Sequence, residues 1–132
     1  MKVDHFRKNY QNASFVNEFQ ELASKNKNIL LKGLVGSATS FVSDAIIQKL
    51  NGNHLFILPD KEAAIYFFND LENIISSERG TTLLFYPASY RRPYQIEEID
   101  HSSVLQRSEV ISLVAKKRKK LLIVTYPEAI VE

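Results

Sequence analysis

The stretch "NILLKGLVGSATSFVSDAIIQKLNG", residues 28–52, combines the patterns of a strand, a tight turn and a helix. Its first part, "NILLKG" at 28–33, is a short apolar run that stops at a glycine, as buried strands often do. "TSFVSDAIIQKLNG" at 39–52 has apolar residues at helical spacing, and Gly52 is a suitable C-terminal stop. The small residues of "GLVGSATS", 33–40, therefore predict a turn that leads from a strand into a helix.

Three further apolar runs alternate with three further helical patterns along the chain. We predict strands at 53–60, 81–87 and 121–127, helices at 12–26, 61–76 and 104–119, and a long loop at 88–100. Alternating strands and helices favour βαβ units, and continuously apolar strands are typical of a parallel sheet covered on both faces. The expected fold class is α/β: a three-layer α/β/α domain with a mostly parallel sheet and an extra N-terminal helix.

Composition narrows the classes of function. A chain of 132 residues fits one domain, and 45% hydrophobic with 24% charged residues is typical of a globular protein. The absence of cysteine excludes disulfides and thiolate metal sites. His5, His54 and His101 are far apart in sequence and lack the spacing of metal ligands, so we expect no metal site. A net charge of +2 is too small to indicate nucleic-acid binding by itself.

Targeting signals are not evident in the sequence. The N-terminus "MKVDHFRKNY" has no apolar segment of the kind found in secretory signals. No apolar run approaches the roughly 18 residues that a membrane span requires. We therefore expect a cytoplasmic protein with no membrane partner.

The turn at 33–40 departs from a working phosphate-binding loop at two decisive positions. Such a P-loop reads G-x-x-x-x-G-K-[ST]. Gly33 and Ser40 fill its first and last positions and Gly36 adds flexibility, but Ala38 and Thr39 replace the second glycine and the lysine. Losing the lysine's charge-assisted hydrogen bonds and the glycine's backbone freedom removes on the order of 3–5 kcal/mol, or roughly 10²- to 10³-fold in affinity.

A further deficit concerns magnesium. Phosphoryl transfer needs an acidic residue on a later strand to hold Mg²⁺. The strand-like run at 121–127 ends without Asp or Glu, and Glu128 belongs to the next segment. Three interpretations remain: a vestigial P-loop, which we favour, an ordinary small-residue turn, and a competent nucleotide site.

The turn and its surroundings resemble the N-terminal module of bacterial transcription-repair coupling factors, which is similar to the first domain of the excision-repair protein UvrB. UvrB has an intact G-V-T-G-S-G-K-T loop, which this chain matches at Gly33, Gly36 and Ser37, with Ser40 conservative. Its departures at Ala38 and Thr39 are those of the coupling-factor family.

Two other segments carry the resemblance, which extends from about Ser14 onward. "RRPYQIEEIDHSSVLQRSEVI" at 91–111 has a Pro-Tyr pair before a serine-rich turn and an arginine-bearing helix, and "LLIVTYPEAIVE" at 121–132 is similar to the strand and turn that close the subdomain. The matching residues of the first segment are Pro93, Tyr94, Ser102, Ser103 and Arg107.

The resemblance implies a fragment of a larger protein. It implies a helical extension at 1–27 and a degenerate helicase-like, RecA-type subdomain at 28–132 that is truncated at its C-terminal end. Intact coupling factors displace stalled RNA polymerase with an ATP-driven translocase on duplex DNA and recruit UvrA for nucleotide excision repair. The family's main UvrA-contacting subdomain would follow the last residue of this chain.

By this resemblance the chain is not an enzyme and binds no cofactor, since ATP and Mg²⁺ belong to the parent's translocase domains. Its partners would be UvrA and other domains of the parent chain. The alternative is a nucleotide-binding or DNA-binding domain of another helicase-like P-loop protein.

Two groups of side chains are candidate interaction residues. The loop "YRRPY" combines arginine with tyrosine, as interfaces often do, and we expect either a surface loop or a docking patch. The run "KKRKK" lies at the C-terminal end of a predicted helix, where cations either favour the helix terminus or contact DNA phosphates. The candidates are Tyr90, Arg91, Arg92, Tyr94, Lys116, Lys117, Arg118, Lys119 and Lys120.

Overall fold

The computed structural model describes residues 3–25, 28–75, 80–89 and 101–132. Over these ranges the chain is mixed α/β, with six helices and one three-stranded parallel sheet. The helices are α1 Val3–Gln11, α2 Ser14–Ser24, α3 Ala38–Lys49, α4 Lys61–Ile75, α5 His101–Ala115 and α6 Pro127–Ile130, and the strands are β1 His54–Ile57, β2 Thr82–Phe85 and β3 Leu121–Thr125.

The predicted parallel sheet is confirmed at three of its four predicted strands. Its order is β1-β3-β2, so the last strand in sequence is the central one and pairs with both neighbours. Leu121, Leu122 and Val124 are completely buried in this strand. A continuously apolar strand is stable here because both of its faces are removed from water.

The prediction of a strand at 28–33 is wrong. Residues 28–35 lie outside every helix and strand, and Leu30 and Val35 are 77% and 81% exposed. An apolar run becomes a strand only when a neighbouring strand accepts its backbone hydrogen bonds, and periodicity alone does not reveal such a neighbour.

The chain divides into two compact units. One, here called the helical unit, comprises Met1–Asn51 and Asn69–Glu78, and the other, the sheet unit, comprises Gly52–Phe68 and Arg79–Glu132. In the helical unit, α1 and α2 both contact α3. In the sheet unit, Leu84 of β2, Val110 of α5 and Leu121 of β3 form a buried cluster.

Helix α1 is strongly polar, and a buried ion pair attaches it to α3. Nε and Nη2 of Arg7 donate to the two carboxylate oxygens of Asp44 at 2.8 and 2.7 Å. Asp44 is completely buried, and Gln11 also donates to it at 3.3 Å. The ring of Tyr10 stacks on Phe41, with centroids 5.3 Å apart. These contacts attach a mostly polar helix to α3, since a buried charge is tolerated when it is paired and hydrogen-bonded.

No helix in the described ranges has both the length and the apolar character that crossing a membrane requires.

Candidate functional site

In the segment 33–40, the backbone already adopts a tight, helix-like turn before α3 begins. Glycines supply its left-handed positions, with φ of +83° at Gly33 and +55° at Gly36. Ser37 precedes the helix with φ −66° and ψ −7°, which is already a right-handed helical conformation, and its side chain makes no capping hydrogen bond. The chain therefore begins to wind before the first residue of α3.

The first three backbone amides of α3 are occupied by the turn itself. The N–H of Ala38 donates to the carbonyl of residue 35 at 3.2 Å, that of Thr39 to residue 36 at 3.3 Å, and that of Ser40 to residue 37 at 3.1 Å. Each bond spans three residues, as in a 3₁₀ turn. A phosphate at a helix N-terminus is held by these same amides when they lack partners. This turn thus satisfies internally three of the backbone donors that an anion at the N-terminus of α3 would use.

The hydroxyl of Ser40 is also occupied. In a working P-loop this position binds Mg²⁺. Here Ser40 is 2% exposed, and its Oγ donates to Oδ2 of Asp70 on α4 at 3.3 Å. The hydroxyl that would ligate Mg²⁺ in a working P-loop is therefore engaged with a carboxylate. Across the described part of the chain, no group of three or more histidine or acidic side chains is arranged to hold a metal ion.

Asp70 was not among the predicted site residues. It lies on the polar side of a helix whose apolar stripe predicts only packing, and nothing in its spacing indicates a hydroxyl partner thirty residues away in sequence. A sequence search for strand-tip acids does not find it, because it belongs to a helix.

The predicted interaction residues are described only in part. Tyr90, Arg91, Arg92 and Tyr94 lie outside the described residues. The run 116–120, which we call the cationic turn, joins α5 to β3, and all five of its residues are exposed.

The backbone of the cationic turn closes α5 in a Schellman arrangement. The N–H of Lys117 donates to the carbonyl of Val114 at 2.9 Å, and that of Arg118 donates to Leu113 at 3.1 Å. Lys117, with φ of +53°, fills the left-handed position that this motif usually gives to glycine. Lys120 is another left-handed lysine, with φ of +59°.

A cluster around Arg107 was not predicted as a site, although the family resemblance includes this arginine. Its Nη1 donates to the carbonyls of Pro87 and Ala129, both at 2.9 Å, and its guanidinium lies 4.3 Å from the ring centroid of Tyr86. These partners follow β2 and β3, at the carboxyl ends of the strands. Open α/β sheets commonly bind ligands at that edge.

In this protein, side chains near the carboxyl ends of β2 and β3 bond to one another. The carboxylate of Glu132 lies 3.1 Å from Arg107 and accepts hydrogen bonds from the N–H and the hydroxyl of Ser89, both at 2.7 Å. The N–H of Ala88 donates to the hydroxyl of Tyr126 at 2.9 Å. These donors have internal acceptors, so the arrangement is that of a structural clamp.

Comparison of the chain with known protein families, with curated proteins and with solved structures gave no match.

Proposed function

We propose that this chain is a non-catalytic scaffold or adaptor subdomain of the transcription-repair coupling-factor type, with a vestigial P-loop in a three-layer, helicase-like α/β/α architecture. The observation that carries the proposal is the internal bonding of the turn at 33–40. The amides of Ala38, Thr39 and Ser40 all donate to carbonyls of their own turn.

This bonding adds a cost to the loss of the lysine. A net hydrogen bond contributes about 0.5–1.5 kcal/mol, so opening three of them for a phosphate costs about 1.5–4.5 kcal/mol. The missing lysine removes a further 1.5–3 kcal/mol or so of charge-assisted bonding. Together the two effects weaken triphosphate binding by about 3–7.5 kcal/mol relative to an intact P-loop whose amides are free.

A helicase-like domain that does not bind nucleotide can still act as a scaffold for other proteins and domains. We propose UvrA and neighbouring domains of a longer parent chain as its partners, in the cytoplasm. In such a parent, ATP, Mg²⁺ and RNA polymerase would be bound by other domains, and the translocase would act on duplex DNA.

The nucleotide part of the proposal is tested by the melting temperature of the chain with and without millimolar MgATP. A ligand that binds the native state must stabilise it, so we expect no change. A clear upward shift would overturn the proposal.

A matched variant separates the two causes. Ala38→Gly with Thr39→Lys restores the P-loop consensus without changing the rest of the turn. Since the backbone donors remain occupied, we expect the variant also to lack micromolar affinity for MgATP by titration calorimetry. Micromolar binding would show that the residues at 38 and 39 decide, and that the backbone bonding does not.

The partner is tested separately, with purified UvrA immobilised and this chain supplied at increasing concentration. Saturable binding supports the adaptor role. No binding at tens of micromolar chain would remove UvrA as a direct partner, while leaving the nucleotide result unaffected.

A further inference from the structure

Five consecutive cations of the cationic turn are exposed together. Residues 116–120 contain no acidic, apolar or aromatic side chain. Within the described ranges, no salt bridge joins any of these five side chains to an acidic residue. The five charges repel one another at close spacing, and the described part of the domain provides them with no neutralising partner.

Two residues of this turn have a backbone conformation that glycine would adopt at lower cost. Lys117 and Lys120 both have left-handed φ values, of +53° and +59°. Glycine adopts this conformation without steric cost, whereas a residue with a Cβ does not. Strained residues of this kind cluster at functional sites, where a side chain is needed in spite of the backbone. Here the chain keeps a cation at both positions where glycine would relieve the strain.

The turn is also fixed in place. Asn53 donates from Nδ2 to the carbonyl of Arg118 at 3.1 Å and accepts from the N–H of Leu121 at 2.9 Å. The N–H of Thr82 donates to the carbonyl of Lys120 at 3.1 Å. One neighbouring side chain and one neighbouring strand thus hold the backbone on which the five cations are mounted.

We propose that the cationic turn is a docking site for the phosphate backbone of a nucleic-acid duplex, read without sequence preference. A duplex presents closely spaced phosphates whose condensed counterions are released when cations replace them, and this release favours a dense cationic surface. The turn offers no aromatic ring on which unpaired bases would stack, which favours a duplex over a single strand. It also offers no apolar side chain for insertion into a lipid interface.

The test is fluorescence anisotropy of a labelled DNA duplex of arbitrary sequence, titrated with the chain at a series of salt concentrations. Each phosphate contacted contributes about −0.9 to the slope of log K against log salt, so up to five contacts predict a slope as steep as roughly −4.5. Absence of binding at about 20 mM salt, or a slope near zero, would overturn the proposal.

The decisive variant is Lys117→Gly with Lys120→Gly, because it removes two cations and relieves the backbone at both positions. We expect it to melt no lower than the parent chain, while its affinity falls by roughly tenfold or more and the salt slope becomes shallower by about 2. Affinity equal to that of the parent chain would overturn the proposal.

Two controls complete the experiment. Lys49→Gln with Lys61→Gln removes the same charge from exposed lysines outside the turn and should leave duplex affinity within about threefold of the parent. An equal loss here would mean that net charge, and not the turn, attracts DNA. Poly-glutamate and vesicles rich in phosphatidylserine serve as competitors. Displacement of the duplex by either at matched charge would overturn the assignment to nucleic acid.

Discussion

The turn at 33–40 lies at the N-terminus of one helix, and the cationic turn at 116–120 lies at the C-terminus of another. The two turns differ in the residues at their left-handed positions and in what they present to solvent. The turn at 33–40 precedes α3, has glycine at its left-handed positions, and closes its amides on its own carbonyls. The cationic turn follows α5, has lysine at its left-handed positions, and presents five exposed cations.

The difference teaches that resemblance to a motif and capacity for binding are separate properties. The turn at 33–40 resembles a ligand site in sequence, yet its backbone bonds leave no donor of the first three helical residues available. The cationic turn has the composition of an ordinary solvated charge run, yet it has lysine at two left-handed positions where glycine would cost less. Four substitutions break or sharpen this contrast.

The largest effect is expected from Asp44→Ala, which tests how firmly the helix behind the turn at 33–40 is anchored. Removing this carboxylate breaks a buried ion pair, and breaking such a pair by removing one of its charges costs about 3–5 kcal/mol. The free energy of unfolding, measured with urea, should fall by that amount.

The double variant Arg7→Met with Asp44→Leu is the matched control. It replaces both charges with apolar side chains of similar length and should recover most of the loss, because no unpaired charge remains. If Asp44→Ala alone costs under about 1 kcal/mol, the ion pair does not anchor α1 to α3.

Gly36→Ala is expected to have the next largest effect. A Cβ at this position would meet nothing within 4 Å, so the cost comes only from the backbone φ of +55°. We expect a loss of about 1 kcal/mol in the free energy of unfolding. Gly36→Asn should lose less, since asparagine tolerates left-handed backbone better than alanine does. Equal stability of all three would show that the turn does not hold this conformation in solution.

Lys117→Gly should act in the opposite direction. It relieves a left-handed residue at a helix C-terminus, a gain that the greater freedom of glycine in the unfolded chain partly offsets. A net stabilisation of about 0.5–1 kcal/mol is expected by urea denaturation. Lys119→Gly, whose position is not left-handed, should give no gain. A loss of stability at 117 would remove the strain on which the contrast between the two turns depends.

Ser40→Ala should have an effect no larger than that of Lys117→Gly and opposite in sign. It removes a long hydrogen bond to Asp70, which is only partly buried, and we expect a loss of about 0.5–1 kcal/mol. Ser37→Ala removes a hydroxyl that makes no capping bond and should change stability by less than about 0.5 kcal/mol. Should Ser37 prove the more costly position, its hydroxyl and not that of Ser40 would be the structural one.

Part of this fold follows from the sequence and part does not. The strand at 121–125 was predictable because five consecutive apolar or β-branched residues suit a strand buried on both faces. The identical reasoning failed at 28–33, since only a partner strand distinguishes an apolar strand from an apolar connection. The predicted helix at 12–26 is confirmed as α2, in which Val16 is the buried residue while Phe15 is 37% exposed.

The sites divide in the same way. The loss of the P-loop lysine could be read directly from Thr39. The hydrogen bonds of the three amides could not be predicted, because they depend on the backbone geometry of the turn and not on the identity of one residue. The residue pattern alone did not predict a helix at 3–11, and only the resemblance implied a helical extension at 1–27; the buried Arg7 that attaches α1 carries no apolar signal. The left-handed lysines were invisible for a similar reason, because glycine is the residue that marks such positions in a sequence.

The most direct test of the closed turn is the backbone amide NMR spectrum of the chain during titration with MgATP into the millimolar range. We predict that the amide signals of Ala38, Thr39 and Ser40 stay where they are, because their hydrogen-bond acceptors do not change. Saturable shifts of these three signals at sub-millimolar MgATP would contradict the account, since they would show the turn opening to receive a phosphate.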